Sequence, residues 1–92
     1  MPKKAYVNAA IDKLQLQTRL DILDDDWGYM MFEASDNDRV AWEFERSTIK
    51  TRINGIEKYL GEARRLFNEE ELKEMFLEFI AERDKHKMGK GL

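Results

Sequence analysis

The side chains of this chain that could do chemistry are mainly carboxylates in two short segments, DDDWG and SDND. Asp24, Asp25 and Asp26 are consecutive, whereas Asp36 and Asp38 flank an asparagine. Calcium loops need oxygen ligands at alternating positions and a later bidentate glutamate, a spacing that DDDWGYMMFE does not meet. Catalytic carboxylates need a cleft that shifts their pKa values. We therefore predict solvated turns at both segments and no metal site.

The sequence also lacks motifs for a catalytic nucleophile and for a phosphate-binding loop. His86 is the only histidine, and the chain has no cysteine that could act as its nucleophile partner or as a zinc ligand. Neither Ser35 nor Ser47 lies in a nucleophile motif such as GxSxG, and the glycines lack the spacing of a phosphate loop. The chain is predicted not to be an enzyme and to use no cofactor.

Composition indicates a small acidic domain. The 92 residues are 42% hydrophobic and 38% charged, with a net charge of −3, which predicts one domain over residues 1–92 with a small core. The absence of cysteine, of an apolar signal segment and of any run of about 18 apolar residues predicts a cytoplasmic protein without a membrane partner. A homodimer stays open, since it would bury more surface.

The first half of the chain presents two periodicities. Residues 2–12 have helical spacing, with Pro2 in the first turn. Over residues 13–23 apolar and polar residues alternate, which predicts a strand with one apolar face. A continuous helix over residues 4–24 is the alternative, but it splits the apolar residues into two opposed stripes. One apolar face is easier to bury than two, so the strand is preferred.

Two further strands are predicted over residues 29–34 and 39–46. Val40, Trp42 and Phe44 alternate with charged or small residues, and one pairing register collects every large residue of the two strands on one face. We expect that row to point inward, beneath the helices that follow.

The second half predicts two helices. Ser47 or Thr48 is a suitable N-cap for the first, and its stripe keeps its phase across Gly55, which favours one helix over a break at Asn54 and Gly55. For the second, Asn68 is the predicted N-cap with Glu71 at the capping-box position. Residues 88–92 are predicted to be a frayed tail. The apolar stripe of the first of these two helices consists of Ile49, Ile53, Ile56, Leu60, Ala63 and Phe67.

The predicted fold is therefore α+β. It has a short N-terminal helix, a three-stranded antiparallel meander and two C-terminal helices packed on one sheet face. An all-α helical bundle is the alternative. Some small phage inhibitors of CRISPR nucleases resemble this element order, which implies an accessory protein of a phage or mobile element that inhibits a host or defence protein.

The acidic turns and their apolar neighbours predict non-catalytic binding to a basic protein partner. The candidate partner-binding residues are Asp24, Asp25, Asp26, Trp27, Tyr29, Met31, Asp36 and Asp38.

Nucleic-acid binding is the alternative function, and a self-associating structural subunit is a third. The order α-β-β-β-α resembles the double-stranded-RNA-binding domain, in which basic residues at the start of the helix after the third strand contact RNA. Lys50 and Arg52 stand about there, but the chain departs from that family in its acidity, its extra helix and its lack of a dense lysine cluster. The alternative contacts are Arg46, Lys50, Arg52, Lys58, Arg64 and Arg65.

Overall fold

The computed structural model describes the backbone of residues 3–91 and the side chains of residues 3–85. That part of the chain is helical and contains no strand. The α+β prediction with a three-stranded meander is therefore wrong, and the all-α alternative agrees with the structure. The four helices are α1 (Lys3–Asp25), α2 (Trp27–Phe32), α3 (Asp36–Arg64) and α4 (Glu69–Gly91).

Helix α1 is continuous because it has a neighbour on each side. It packs against both α3 and α4, so two opposed apolar stripes can be buried at once. Val7 and Ile11 are buried on one side of the helix, and Leu20 and Leu23 are buried on roughly the opposite side. The alternation over residues 13–23 is thus the overlap of two helical stripes. The strand prediction assumed a single neighbour.

Helix α3 begins well before the predicted cap at Ser47 or Thr48. Ser35 has an extended backbone, and its hydroxyl oxygen accepts a hydrogen bond from the backbone N–H of Asp38 at 3.2 Å. Asp36 and Asp38 then place negative charge in the first turn, at the positive end of the helix dipole. The segment predicted to be a turn is therefore the start of a 29-residue helix.

The helical period separates the three residues that the strand prediction placed in one row. Each helical residue advances by about 100°, so Val40 and Phe44 lie nearly opposite Trp42. Trp42 is 5% exposed, whereas Val40 is 64% and Phe44 is 73% exposed. Of the three side chains predicted to point inward, only that of Trp42 does so.

The main core lies where α1 crosses α3. Trp42 packs there and donates a hydrogen bond from its indole Nε1 to the backbone carbonyl of Leu23 at 2.9 Å. Helix α3 passes through Asn54 and Gly55 without a break, as the phase of its stripe predicted. The buried cluster consists of Leu20, Leu23, Trp42, Ile49 and Ile53, with Leu16 and Met30 packed against it.

Helix α4 begins with the predicted capping box. The side-chain oxygen of Asn68 accepts from the backbone N–H of Glu71 at 2.8 Å, and the Glu71 carboxylate accepts from the backbone N–H of Asn68 at 3.1 Å. The predicted tail at residues 88–92 falls where no side chain is described, and Pro2 lies outside the described residues.

The start of α4 is fixed to the start of α1. The rings of Tyr6 and Phe67 meet edge to face with centroids 6.0 Å apart, and the Lys3 ammonium lies 2.9 Å from Glu74 and 3.8 Å from Glu71. The hydrogen bond to Glu74 is the main cause that raises the pKa of Lys3 above its usual 10.5. Helix α1 is therefore the middle element, between α3 and α4. The Cα atoms span 51 × 33 × 15 Å, the dimensions of a flat layer of helices.

Candidate partner-binding surfaces

One end of the layer is formed by α2 and the first turns of α3. We call the exposed apolar side chains there the aromatic end, namely Trp27, Tyr29, Met31, Phe32, Val40 and Phe44. Helix α2 has the sequence WGYMMF, and none of its residues is buried. Phe32 is 78% exposed and its ring meets that of Trp27 edge to face at 5.8 Å. The partly buried Met30 packs against the main core and anchors the segment.

The aromatic end rests on a fixed support. Arg46 lies 5.5 Å above the ring of Trp42 and 2.5 Å from the Asp24 carboxylate, so it links α3 to the end of α1. Arg19 and Glu45 form a second bridge between the same helices at 2.8 Å. Together with the Trp42 hydrogen bond, these contacts set the position of the α1 terminus from which α2 extends.

Carboxylates surround the aromatic end, and several have no countercharge. Asp24 is paired with Arg46, and Asp36 is paired with Arg39. The carboxylates of Asp25, Asp26 and Asp38 take part in no ion pair within residues 3–85 and are exposed. This end of the molecule therefore has a negative potential around an apolar centre.

All eight candidate partner-binding residues lie at this end. The structure adds Phe32, which lies against Trp27, and it exposes Val40 and Phe44 on the side of α3 away from Trp42, although the strand prediction placed all three in the interior. Val40 and Phe44 are four residues apart, and a helical period would have placed them together on the face opposite Trp42. That spacing was the signal in the sequence, and the alternation obscured it.

Most of the alternative nucleic-acid contacts lie on one side of α3, and Arg52 lies apart from them. They occur at intervals along α3 and just after it, and those within α3 other than Arg52 lie in an arc of about 120° around the helix axis. Arg46 is already paired with Asp24 and stacked on Trp42. Glu43 and Glu57 lie in the same arc of α3, so this side of the helix carries both signs of charge.

A second candidate surface is a groove of about 660 Å³ whose floor is α1 and whose walls are α3 and α4. The Lys13 ammonium and the Glu57 carboxylate, 3.4 Å apart, lie on its α3 side. Phe76 stands on the α4 wall and is largely exposed. The apolar lining includes Tyr6, Leu14, Leu60, Leu72, Met75 and Phe79.

Within residues 3–85, no three His, Cys, Asp or Glu side chains gather closely enough to hold a metal ion. Across the described helices, none combines the length and the apolar character that a membrane span requires.

What the two surfaces offer is apolar contact area edged by charge, which is suited to binding. Comparisons of the chain with protein-family models, with curated proteins and with solved structures found no match.

Proposed function

We propose that this chain is a non-catalytic protein-binding module whose aromatic end docks into an apolar pocket edged by basic residues on another protein. The observation that carries the proposal is α2. Five of its six residues are large and apolar, yet none is fully buried, and only Met30 packs against the chain's own core.

Single exposed apolar residues are common on protein surfaces, but a contiguous group indicates an interaction site. Aromatic side chains dominate interface hot spots because they bury a large area at a small entropic loss. Trp27 and Phe32 are already held in ring contact, so less side-chain freedom is lost when a partner covers them.

The charge around this surface selects the class of partner. The unpaired carboxylates of Asp25, Asp26 and Asp38 attract a basic surface and accelerate its encounter. The same carboxylates repel phosphates, and nucleic-acid binding depends on phosphate neutralisation. A basic protein therefore fits this end better than a nucleic acid.

The fold changes the support for the resemblances. The resemblance to the double-stranded-RNA-binding domain and to the phage inhibitors of CRISPR nucleases rested on a predicted element order with three strands. Residues 3–91 contain no strand, so the fold does not support either resemblance. An inhibitor of a host or defence protein is one form that such a binder can take. Its support is now the small size and high charge of the chain.

The test is affinity capture after nuclease treatment with four versions of the chain. Wild type is compared with Trp27→Ser/Phe32→Ser, with Asp25→Lys/Asp26→Lys, and with the control Leu66→Ser. Leu66 is equally apolar and exposed but lies beyond the opposite end of α3.

We expect one protein to be retained by wild type and by the control, and to be lost with the aromatic double variant. Its binding should be weaker with the Asp25→Lys/Asp26→Lys variant and at high salt. Equal recovery with all four versions would contradict the proposal. Recovery of nucleic acid by wild type without nuclease, and of no protein after it, would favour the alternative function.

A further inference from the structure

Helix α4 has more apolar surface than its single neighbour covers. At about 100° per residue, its apolar positions from Met75 round to Leu77 span an arc of about 200°. Helix α4 packs on α1, and only the Met75 side of this arc is buried. Leu77 is 66% exposed, and Phe76 beside it is also exposed. The apolar positions of α4 are Leu72, Met75, Phe76, Leu77, Phe79 and Ile80.

The surface of the whole chain shows the same excess. A folded monomer of 11.0 kDa is expected to expose about 5,600 Å², but this chain exposes 7010 Å². The difference of about 1,400 Å² exceeds the roughly 800 Å² that each partner buries in a standard interface. The radius of gyration is 16.5 Å, which is likewise larger than the value of about 12 Å expected for a compact chain of this length.

We propose that a second copy of this chain covers the α4 face. The two α4 helices lie antiparallel across a two-fold axis near Leu77. The exposed strip of each α4, which carries Phe76 and Leu77, lies against the groove that α1, α3 and α4 of the other copy form. One self-complementary contact then covers both unpartnered features, the strip and the groove, because each copy contributes both.

Charge favours a second copy at this face. The face carries both signs, with Lys13 and Glu57 on the α3 side of the groove and Lys73 within the exposed part of α4, between Ile80 and Leu77, so identical faces do not repel. The aromatic end, by contrast, would place unpaired carboxylates against one another.

The ends of α4 determine the orientation of the pair. Its first turn carries Glu69, Glu70 and Glu71, whereas residues 82–85 near its other end are alternately acidic and basic, with Arg83 paired to Asp84. An antiparallel pair places the three glutamates of each copy beside this mixed segment of the other and also opposes the helix dipoles. A parallel pair would bring the three glutamates of one copy beside those of the other.

The test is sedimentation equilibrium over a range of concentrations, with far-UV circular dichroism as the check on folding. We expect wild type to have twice the monomer mass and Leu77→Glu to shift toward the monomer. Loss of one hot-spot side chain weakens an interface by about thirtyfold, and a two-fold dimer loses it twice, so we expect about a thousandfold weaker association. The matched control is Val40→Glu, equally exposed but at the aromatic end, and it should leave the dimer intact.

A monomeric wild type at all concentrations would overturn the proposal. So would a dimer that survives Leu77→Glu, or one that is lost with Val40→Glu instead. The aromatic double variant should remain dimeric, so failure of this proposal and failure of the proposed function give different results.

Orientation is tested by cross-linking, because the chain has no cysteine of its own. Leu77→Cys near the axis should form a disulfide-linked dimer on mild oxidation. Glu69→Cys lies about 12 Å along the helix from that axis and should not link to its copy. Linkage through Glu69→Cys, or through neither variant, would overturn the antiparallel arrangement.

Discussion

The stability of two alanine variants, Trp42→Ala and Phe44→Ala, separates a helical from a stranded segment. In a strand both side chains would enter the core, whereas in α3 Trp42 is 5% and Phe44 73% exposed. Replacing a buried tryptophan by alanine costs about 3–5 kcal/mol. At an exposed helical position, alanine should change the free energy of unfolding by less than about 0.5 kcal/mol.

The magnitude matters because 92 residues are expected to have a total stability of only about 5–14 kcal/mol. Trp42→Phe is therefore a gentler companion, which loses the hydrogen bond to Leu23 and leaves a smaller void, about 1–3 kcal/mol in all. Urea unfolding followed by far-UV circular dichroism, at one fixed protein concentration, measures all three variants. A Phe44→Ala loss as large as that of Trp42→Ala would refute the helical register.

Three smaller changes test the helix ends and interiors. Gly55→Ala should raise stability by up to about 1 kcal/mol, because the site is helical and nothing lies within 4 Å of the added Cβ; a lower urea midpoint would contradict this. Asn68→Ala should lower stability by about 1 kcal/mol through loss of the α4 cap, and an unchanged thermal midpoint would argue against that cap. The raised pKa of Lys3, caused mainly by its hydrogen bond to Glu74, stabilises the fold below pH 10.5 and ceases to do so as the pH rises through the folded-state value. The stability difference between wild type and Lys3→Met should therefore shrink above that pH, and a difference constant with pH would count against the pair.

The second half of the chain could be predicted because its signals are local. The stripe from Ile49 to Ala63 lies on one face of α3, which packs mainly against α1, and therefore has a single period. The capping box of Asn68 and Glu71 is complete within four residues. Neither signal depends on how the rest of the chain packs.

The first half could not be predicted in the same way because its pattern depends on tertiary contacts. Helix α1 buries opposed stripes only because α3 and α4 lie on either side of it. Likewise, Val40 and Phe44 are apolar without being core residues, so their alternation with charged residues has the appearance of a half-buried strand. The candidate site suffered from the same error. Its acidic residues were found, but Phe32 and Phe44 were assigned to a core that does not include them.

Our central claim is that the apolar residues of α2 other than Met30 remain outside the core and are covered by a protein partner. The most direct test is acrylamide quenching of tryptophan fluorescence in the variant Trp42→Phe, in which Trp27 is the only tryptophan, measured alone and with the captured protein. We predict that Trp27 is readily quenched in the free chain and shielded in the complex. A Trp27 that is shielded in the free chain, or quenched equally in the complex, would contradict the claim.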